Sequence, residues 1–143
     1  MTIKLLTKSE VTVALQAQLT ELYKQLNAEL KQLELATVLK NEGQTDIVIC
    51  MDGEILVGIA MMAKYTVVSG AKGMIEDVVV SSDYRGQGIG RKLMEKLLEQ
   101  AEKEQLTDVL LFSGHHRTAA ISLYQSLGFK LKESGLYVKK CLK

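Results

Sequence analysis

The spacing of apolar positions changes repeatedly along this chain, and each change marks an element. Ile3 to Leu6 reads as a short strand, and Thr7-x-x-Glu10 has the form of a capping box at a helix start. Val11, Leu15, Leu19, Leu22 and Leu26 recur at helical spacing, which predicts an amphipathic helix to about Leu26. Asn27 then caps a predicted second helix, Ala28 to Lys40, ended by Asn41-Glu42-Gly43. From Asp46 the period shortens. Ile47 to Met51 and Ile55 to Tyr65 are Ile- and Val-rich runs joined by Asp52-Gly53, a strong short-range hairpin signal. The polar stretch Ser69 to Gly73 leads to a strand over Met74 to Ser81, whose Val78-Val79-Val80 predicts a central strand covered on both faces.

A helix follows from about Gly88 to Glu104, with Ile89, Leu93, Met94, Leu97, Leu98 and Ala101 on one face and charged residues opposite. Next come a strand over Asp108 to Phe112 and a helix over Thr118 to Leu127 closed by Gly128. Phe129 to Lys132 and Leu136 to Cys141, around Ser134-Gly135, predict two final strands. Without repeats, low-complexity tracts or linkers, the order of elements predicts one α+β domain over residues 1–143.

Composition narrows what such a domain does. At 143 residues the chain buries enough surface to fold without disulfides or metal. Eighteen Lys and Arg against 17 Asp and Glu leave +1, so no basic excess points to nucleic acid. The longest apolar run, Ile55 to Ala63, is far too short to span a bilayer, so no membrane association is expected. The N-terminal segment has no secretory signal, and Cys50 and Cys141 stand far apart without CxxC spacing, which suits a reducing, cytoplasmic setting. Proline is absent, so turns must be built from Gly, Asn, Asp and Ser.

The segment richest in chemistry is Arg85-Gly86-Gln87-Gly88-Ile89-Gly90, between a predicted strand and a predicted helix. A helix N-terminus offers unpaired N–H groups and partial positive charge, and glycines let the backbone approach a ligand closely. Arg85, Arg91 and Lys92 add full charges suited to phosphate oxygens. A dinucleotide fingerprint would need glycine where Arg91 stands. A Walker A loop would need Gly-Lys-Ser/Thr, which is missing, and a kinase glycine loop lies between strands.

On these residues the chain resembles the GNAT acetyltransferase superfamily, whose acyl-CoA loop reads Arg/Gln-x-x-Gly-x-Gly/Ala. A second hallmark of that superfamily, A-x-x-x-Tyr-x-x-x-Gly-Phe, is matched by Ala120 to Phe129, with Tyr124 four residues before Gly128. The resemblance implies the GNAT fold, a mixed central sheet flanked by helices, and acetyl-CoA as co-substrate without a metal. It places the cofactor between the strands Met74 to Ser81 and Asp108 to Phe112. The main chain of Val78, Val79 and Val80 would hold the pantetheine arm. Arg85, Gly86, Gln87, Gly88, Ile89, Gly90 and Arg91 would hold the pyrophosphate.

The chemistry so implied is direct attack of a primary amine on the thioester. By resemblance, Tyr124 is the acid near the sulfur. Glu76 is the candidate base, directly or through water, because a carboxylate entering an otherwise apolar strand is costly unless it faces a polar cleft. Alternation sends adjacent Asp77 to the opposite face unless a bulge intervenes, and GNAT sheets carry one in this strand. Asp77, His115, His116 and Arg117 are the candidate acceptor-binding residues, and either histidine is also a candidate base. Adjacent histidines diverge and find no third ligand at suitable spacing, so no zinc site is expected.

Gly73 to Gly86 resembles the corresponding stretch of glucosamine-6-phosphate N-acetyltransferases. Those enzymes carry an acidic residue, a Cys and an Asn downstream; here Ser113-Gly114-His115-His116-Arg117 stands instead, more like enzymes acting on aminoalkylphosphonates. The expected acceptor is therefore a small-molecule amine. A protein or peptide N-acetyltransferase and a non-catalytic acyl-CoA-binding regulatory module are the alternatives. A homodimer is expected from the resemblance and from the apolar C-terminal strands.

Overall fold

The computed structural model describes residues 1–142, and the chain divides into two compact units, Met1–Phe112 and the segment from Ser113 onward. The first unit is built on a five-stranded mixed sheet in the order β1-β2-β3-β4-β5. These strands are β1 (Thr2–Leu5), β2 (Thr45–Asp52), β3 (Ile55–Val67), β4 (Gly70–Val80) and β5 (Asp108–Leu110). Strands β1 to β4 run antiparallel, and β5 joins β4 in parallel. Helices α1 (Val13–Tyr23), α2 (Leu35–Val38) and α3 (Ile89–Lys103) flank it, so the expected mixed sheet with helices is the architecture found.

Caps and partners explain where the helices differ from expectation. The Thr7 N–H donates to Glu10 Oε1 at 2.9 Å, but that pair closes only a 3-10 turn over Lys8–Glu10. The cap of α1 is Thr12, whose Oγ1 accepts from the Leu15 N–H at 3.1 Å. The second helix, expected over Ala28 to Lys40, shrinks to α2. Asn27 Oδ1 accepts from the Glu29 N–H at 3.1 Å, folding a local turn in place of a helix start. Leu30 and Leu33 stay exposed, so the apolar periodicity there has nothing to bury against.

The hairpin forms as expected, with Asp52 paired to Ile55 and Gly53 at φ +59°. Strand β4 starts earlier than expected, taking in Gly70 to Gly73 because both neighbours supply ladder partners, Ala71 to Thr66 and Lys72 to Asp108 among them. Residues 47–50 of β2 are all buried, so this strand is covered on both faces. Ile47 and Ile49 lie in the cluster with Leu15, Leu19 and Leu22 of α1. On α3, Ile89, Leu93, Met94, Leu97 and Ala101 form the buried stripe. Gly58 admits this helix: a Cβ there would come within 3.1 Å of Ile89 and 3.2 Å of Leu93.

Two strand expectations are corrected. Of Val78, Val79 and Val80 only Val79 is buried, because β5 ends at Leu110 and leaves this half of β4 without that neighbour. In the second unit, α4 (Thr118–Ser126) forms as expected, but neither 129–132 nor 136–141 is a strand. Leu131 and Tyr137 are exposed there, and alternation alone makes no strand without a ladder to satisfy its N–H and C=O groups.

Candidate active site

The β4–β5 ladder ends at the pair Met74 and Leu110, while β4 continues to Val80. Two and three residues beyond that parting stand Glu76 and Asp77. Against β3, Met61 pairs Glu76 and Ile59 pairs Val79, so β4 carries one residue more than its partner in this interval. Asp77 holds the left-handed conformation at φ +52° that accommodates the bulge. Glu76 is exposed at the surface, and partial desolvation there, with the neighbouring charge of Asp77, pushes its carboxyl above its ordinary range.

Sequence reasoning missed a third member, Tyr23. Its side chain is 9% exposed, and its hydroxyl donates to Asp77 Oδ1 at 3.2 Å. Burial first, then the charge of Asp77 and the hydrogen bond to it, push this phenol up to about 12, with Glu76 contributing. The available signal was spacing: Tyr23 lies four residues after Leu19 on the apolar stripe of α1, where a hydroxyl needs a partner.

The strand leads into the glycine turn through a 3-10 turn at Ser82–Tyr84. The Ser82 N–H donates to Gln25 Oε1 at 2.9 Å, and the Tyr84 hydroxyl to Asp52 Oδ2 at 2.9 Å, anchoring this entry to α1's exit and the β2 end. Arg85 Nε reaches the Val80 carbonyl at 3.4 Å. Gly86 (φ +81°) and Gly88 (φ +75°) take left-handed conformations, and Gly88 caps α3 without a side chain. A Cβ built at either glycine meets open space, so the turn is bare on the side where the first N–H groups of α3 begin. That cradle fits a polyphosphate. Arg85, Gln87, Arg91 and Lys92 are exposed, while Ile89 is in the core.

The second unit holds the remaining candidates. A Cβ on Gly114 would lie 2.7 Å from the His116 ring, so glycine there lets the imidazole fold back on its own loop. The Arg117 N–H closes that turn on the Gly114 carbonyl at 3.0 Å. His115, His116 and Arg117 are exposed, and Arg117 precedes α4. At the other end Gly128 (φ +95°) turns the chain, and the Phe129 N–H returns to the Tyr124 carbonyl at 3.0 Å. The Phe129 ring then meets Tyr124 edge-on, with centroids 6.1 Å apart. Burial raises the Tyr124 phenol, with the charge of Arg117 pulling the other way.

The candidates thus fall into two groups. Glu76, Asp77, Val78, Val79, Val80 and the Arg85 to Arg91 turn share one continuous strand–turn–helix of the first unit. His115, His116, Arg117 and Tyr124 belong to the second. Val79 points into the core, so only its main chain is available to a ligand. Among the described residues, no three His, Cys, Asp or Glu side chains gather as metal ligands, and no helix is long and apolar enough to cross a membrane.

The sequence model of the acetyltransferase (GNAT) family matches residues 10–129. N-acetyltransferase family 8 member 2 of Rattus norvegicus is 47% identical over 51 residues, 36% of this chain and 23% of that protein. The [ribosomal protein bS18]-alanine N-acetyltransferase of Escherichia coli (strain K12) is 42% identical over 53 residues, 37% of this chain and 36% of that protein. The matched stretches thus span about a quarter to a third of these relatives. Among solved structures, glucosamine-6-phosphate N-acetyltransferase from Arabidopsis thaliana superposes with a TM-score of 0.78 at 19% identity, covering 96% of this chain and 97% of that one.

Proposed function

Because this chain belongs to the acetyltransferase (GNAT) family, we propose that it moves the acetyl group of acetyl-CoA to the primary amine of a small molecule. One observation carries the reading. The run from β4 into α3 has a bulged pair of carboxylates where β5 leaves and a bare glycine cradle at its other end. An amine and a polyphosphate need those two environments, a few residues apart.

In this reading the N–H groups of Arg85 to Gly90 hold the pyrophosphate, with Arg91 adding charge, and the main chain of Val78, Val79 and Val80 holds the pantetheine arm. Such remote contacts position the thioester for attack. Asp77, His115, His116 and Arg117 receive the acceptor. Glu76, its carboxyl raised, takes a proton from the acceptor ammonium directly or through water. The freed nitrogen bonds to the thioester carbonyl carbon, the carbon–sulfur bond breaks, and Tyr124 gives its proton to the departing thiolate. A phenol raised by burial stays protonated until that charge develops. The second proton lost from the nitrogen, as it becomes an amide, returns through water to the Tyr124 oxygen. Residues 1–143 are read as one domain, a reading supported by the family match over residues 10–129. The chain pairs as a homodimer, and its free Cys50 and Cys141 suit the cytoplasm.

A second reading, acetylation of a protein's N-terminal residue, is favoured by the similarity to the alanine N-acetyltransferase of Escherichia coli. Thiol release from acetyl-CoA over a panel of amino-sugar phosphates, aminoalkylphosphonates and alanine-initiated peptides tests both. Release with small amines supports the first reading, and release with peptides alone supports the second. Tight acetyl-CoA binding without turnover on any of them replaces both with a regulatory module.

A further inference from the structure

Tyr23 has a hydroxyl that packing does not require. It sits on the stripe with Leu15, Leu19 and Leu22, where a phenylalanine would fill the same space. A buried hydroxyl costs stability unless bonded, and the bond it makes crosses 54 residues of sequence to Asp77. Its partner occupies the one strained point of β4, a non-glycine residue at φ +52° inside a sheet. The phenol, kept neutral by its surroundings, is a donor at every working pH and not a base.

We propose that Tyr23 is a positioning residue: by hydrogen bonding Asp77, it fixes the apex of the β4 bulge and presents the Asp77 carboxylate to the amine acceptor. The proposal rests on the reading of the chain as an amine acetyltransferase. Without the phenol, Asp77 loses what holds it in the left-handed conformation, and β4 relaxes toward regular alternation, which turns adjacent carboxylates to opposite faces. The glycine cradle lies beyond Val80 with its own anchors, Gln25 and Asp52, so the hold on the pyrophosphate does not depend on this bond, although the pantetheine contacts at Val78 to Val80 adjoin it.

Tyr23→Phe keeps the ring and removes the bond. The expected result is a rise of about tenfold or more in KM for the amine, with smaller changes in kcat and in acetyl-CoA affinity, as typical for lost positioning contacts. In an Asp77→Ala background the same substitution should add less than about twofold, because the two residues act as one unit. An unchanged amine KM in Tyr23→Phe, or a full effect persisting without Asp77, overturns the proposal. If the wild-type chain acetylates no amine or peptide, the functional reading fails, and amide hydrogen exchange at Glu76 to Val78 judges Tyr23 alone. Faster exchange there in Tyr23→Phe supports its hold on the bulge, and unchanged exchange overturns it. If Tyr23→Phe does not fold, Asp77→Asn, which keeps an oxygen for the phenol, should retain that protection while Asp77→Ala loses it. Equal protection in both overturns the proposal.

Discussion

Tyr124 and Tyr23 are both half-polar side chains on helical faces, and their chemistry differs through their partners. Tyr124 lies where a glycine ends its helix and Phe129 returns against its ring, so its motif could be read from local spacing alone. Replacing Tyr124 by Phe preserves that edge-on contact. Turnover should then fall by about 10²–10⁴, the usual contribution of a general acid, while calorimetry finds acetyl-CoA affinity unchanged. The spacing of Tyr23 says that its hydroxyl needs a partner but not which one, because that partner, Asp77, is in a different element.

Among the elements, the β4–turn–α3 run was the most legible, because glycines at left-handed φ and a helix start leave a local signature. Gly88→Val should abolish acetyl-CoA binding in calorimetry, since its branches would fill the bare face of the cradle. A β-branched residue at φ +75° also costs about 1–3 kcal/mol of stability, a separate effect that a melting curve measures. A second junction, unannounced by sequence, ties β2 and β3 to the end of α3: Lys64 Nζ bonds Asp46 Oδ1 at 3.0 Å and also pairs with Glu104. Burial raises the Asp46 carboxyl from 3.8 to about 6. For Glu104 burial also acts upward, but its interactions with Asp46 and Lys64 outweigh it and hold that carboxyl low. An acid raised by folding binds its proton more tightly when folded. Its contribution is therefore full below pH 3.8 and lost as pH rises through about 6. Between pH 4 and 7, urea unfolding should show the wild type losing about 1–3 kcal/mol relative to Asp46→Asn.

For the chain taken as a unit, net charge of +1 conceals a local pattern along the sequence, with Arg85, Arg91 and Lys92 at the glycine turn and Glu76 and Asp77 upstream. Leu131, Leu136, Tyr137, Val138 and Leu142 are exposed in the second unit, an apolar surface that the proposed homodimer would cover. Sedimentation should give a species of about twice 15.8 kDa, and a concentration-independent monomer would remove the dimer. The expected C-terminal strands failed for the same reason that the exposed leucines remain: alternation creates a face, and a partner must be there to use it.

What could be read from the chain alone was whatever depends on neighbours in sequence. The class of fold, the Asp52-Gly53 hairpin, the amphipathic α3, the glycine cradle and the Tyr124-to-Phe129 segment all rest on local spacing and backbone permissiveness. Three features required distant parts of the chain to meet. The end of the β4–β5 ladder depends on how far β5 runs, the bulge on registry with β3, and Tyr23's bond on α1 lying against β4. Register and cross-element hydrogen bonds are set by packing between segments far apart in sequence, so periodicity within any one of them carries no trace of the outcome.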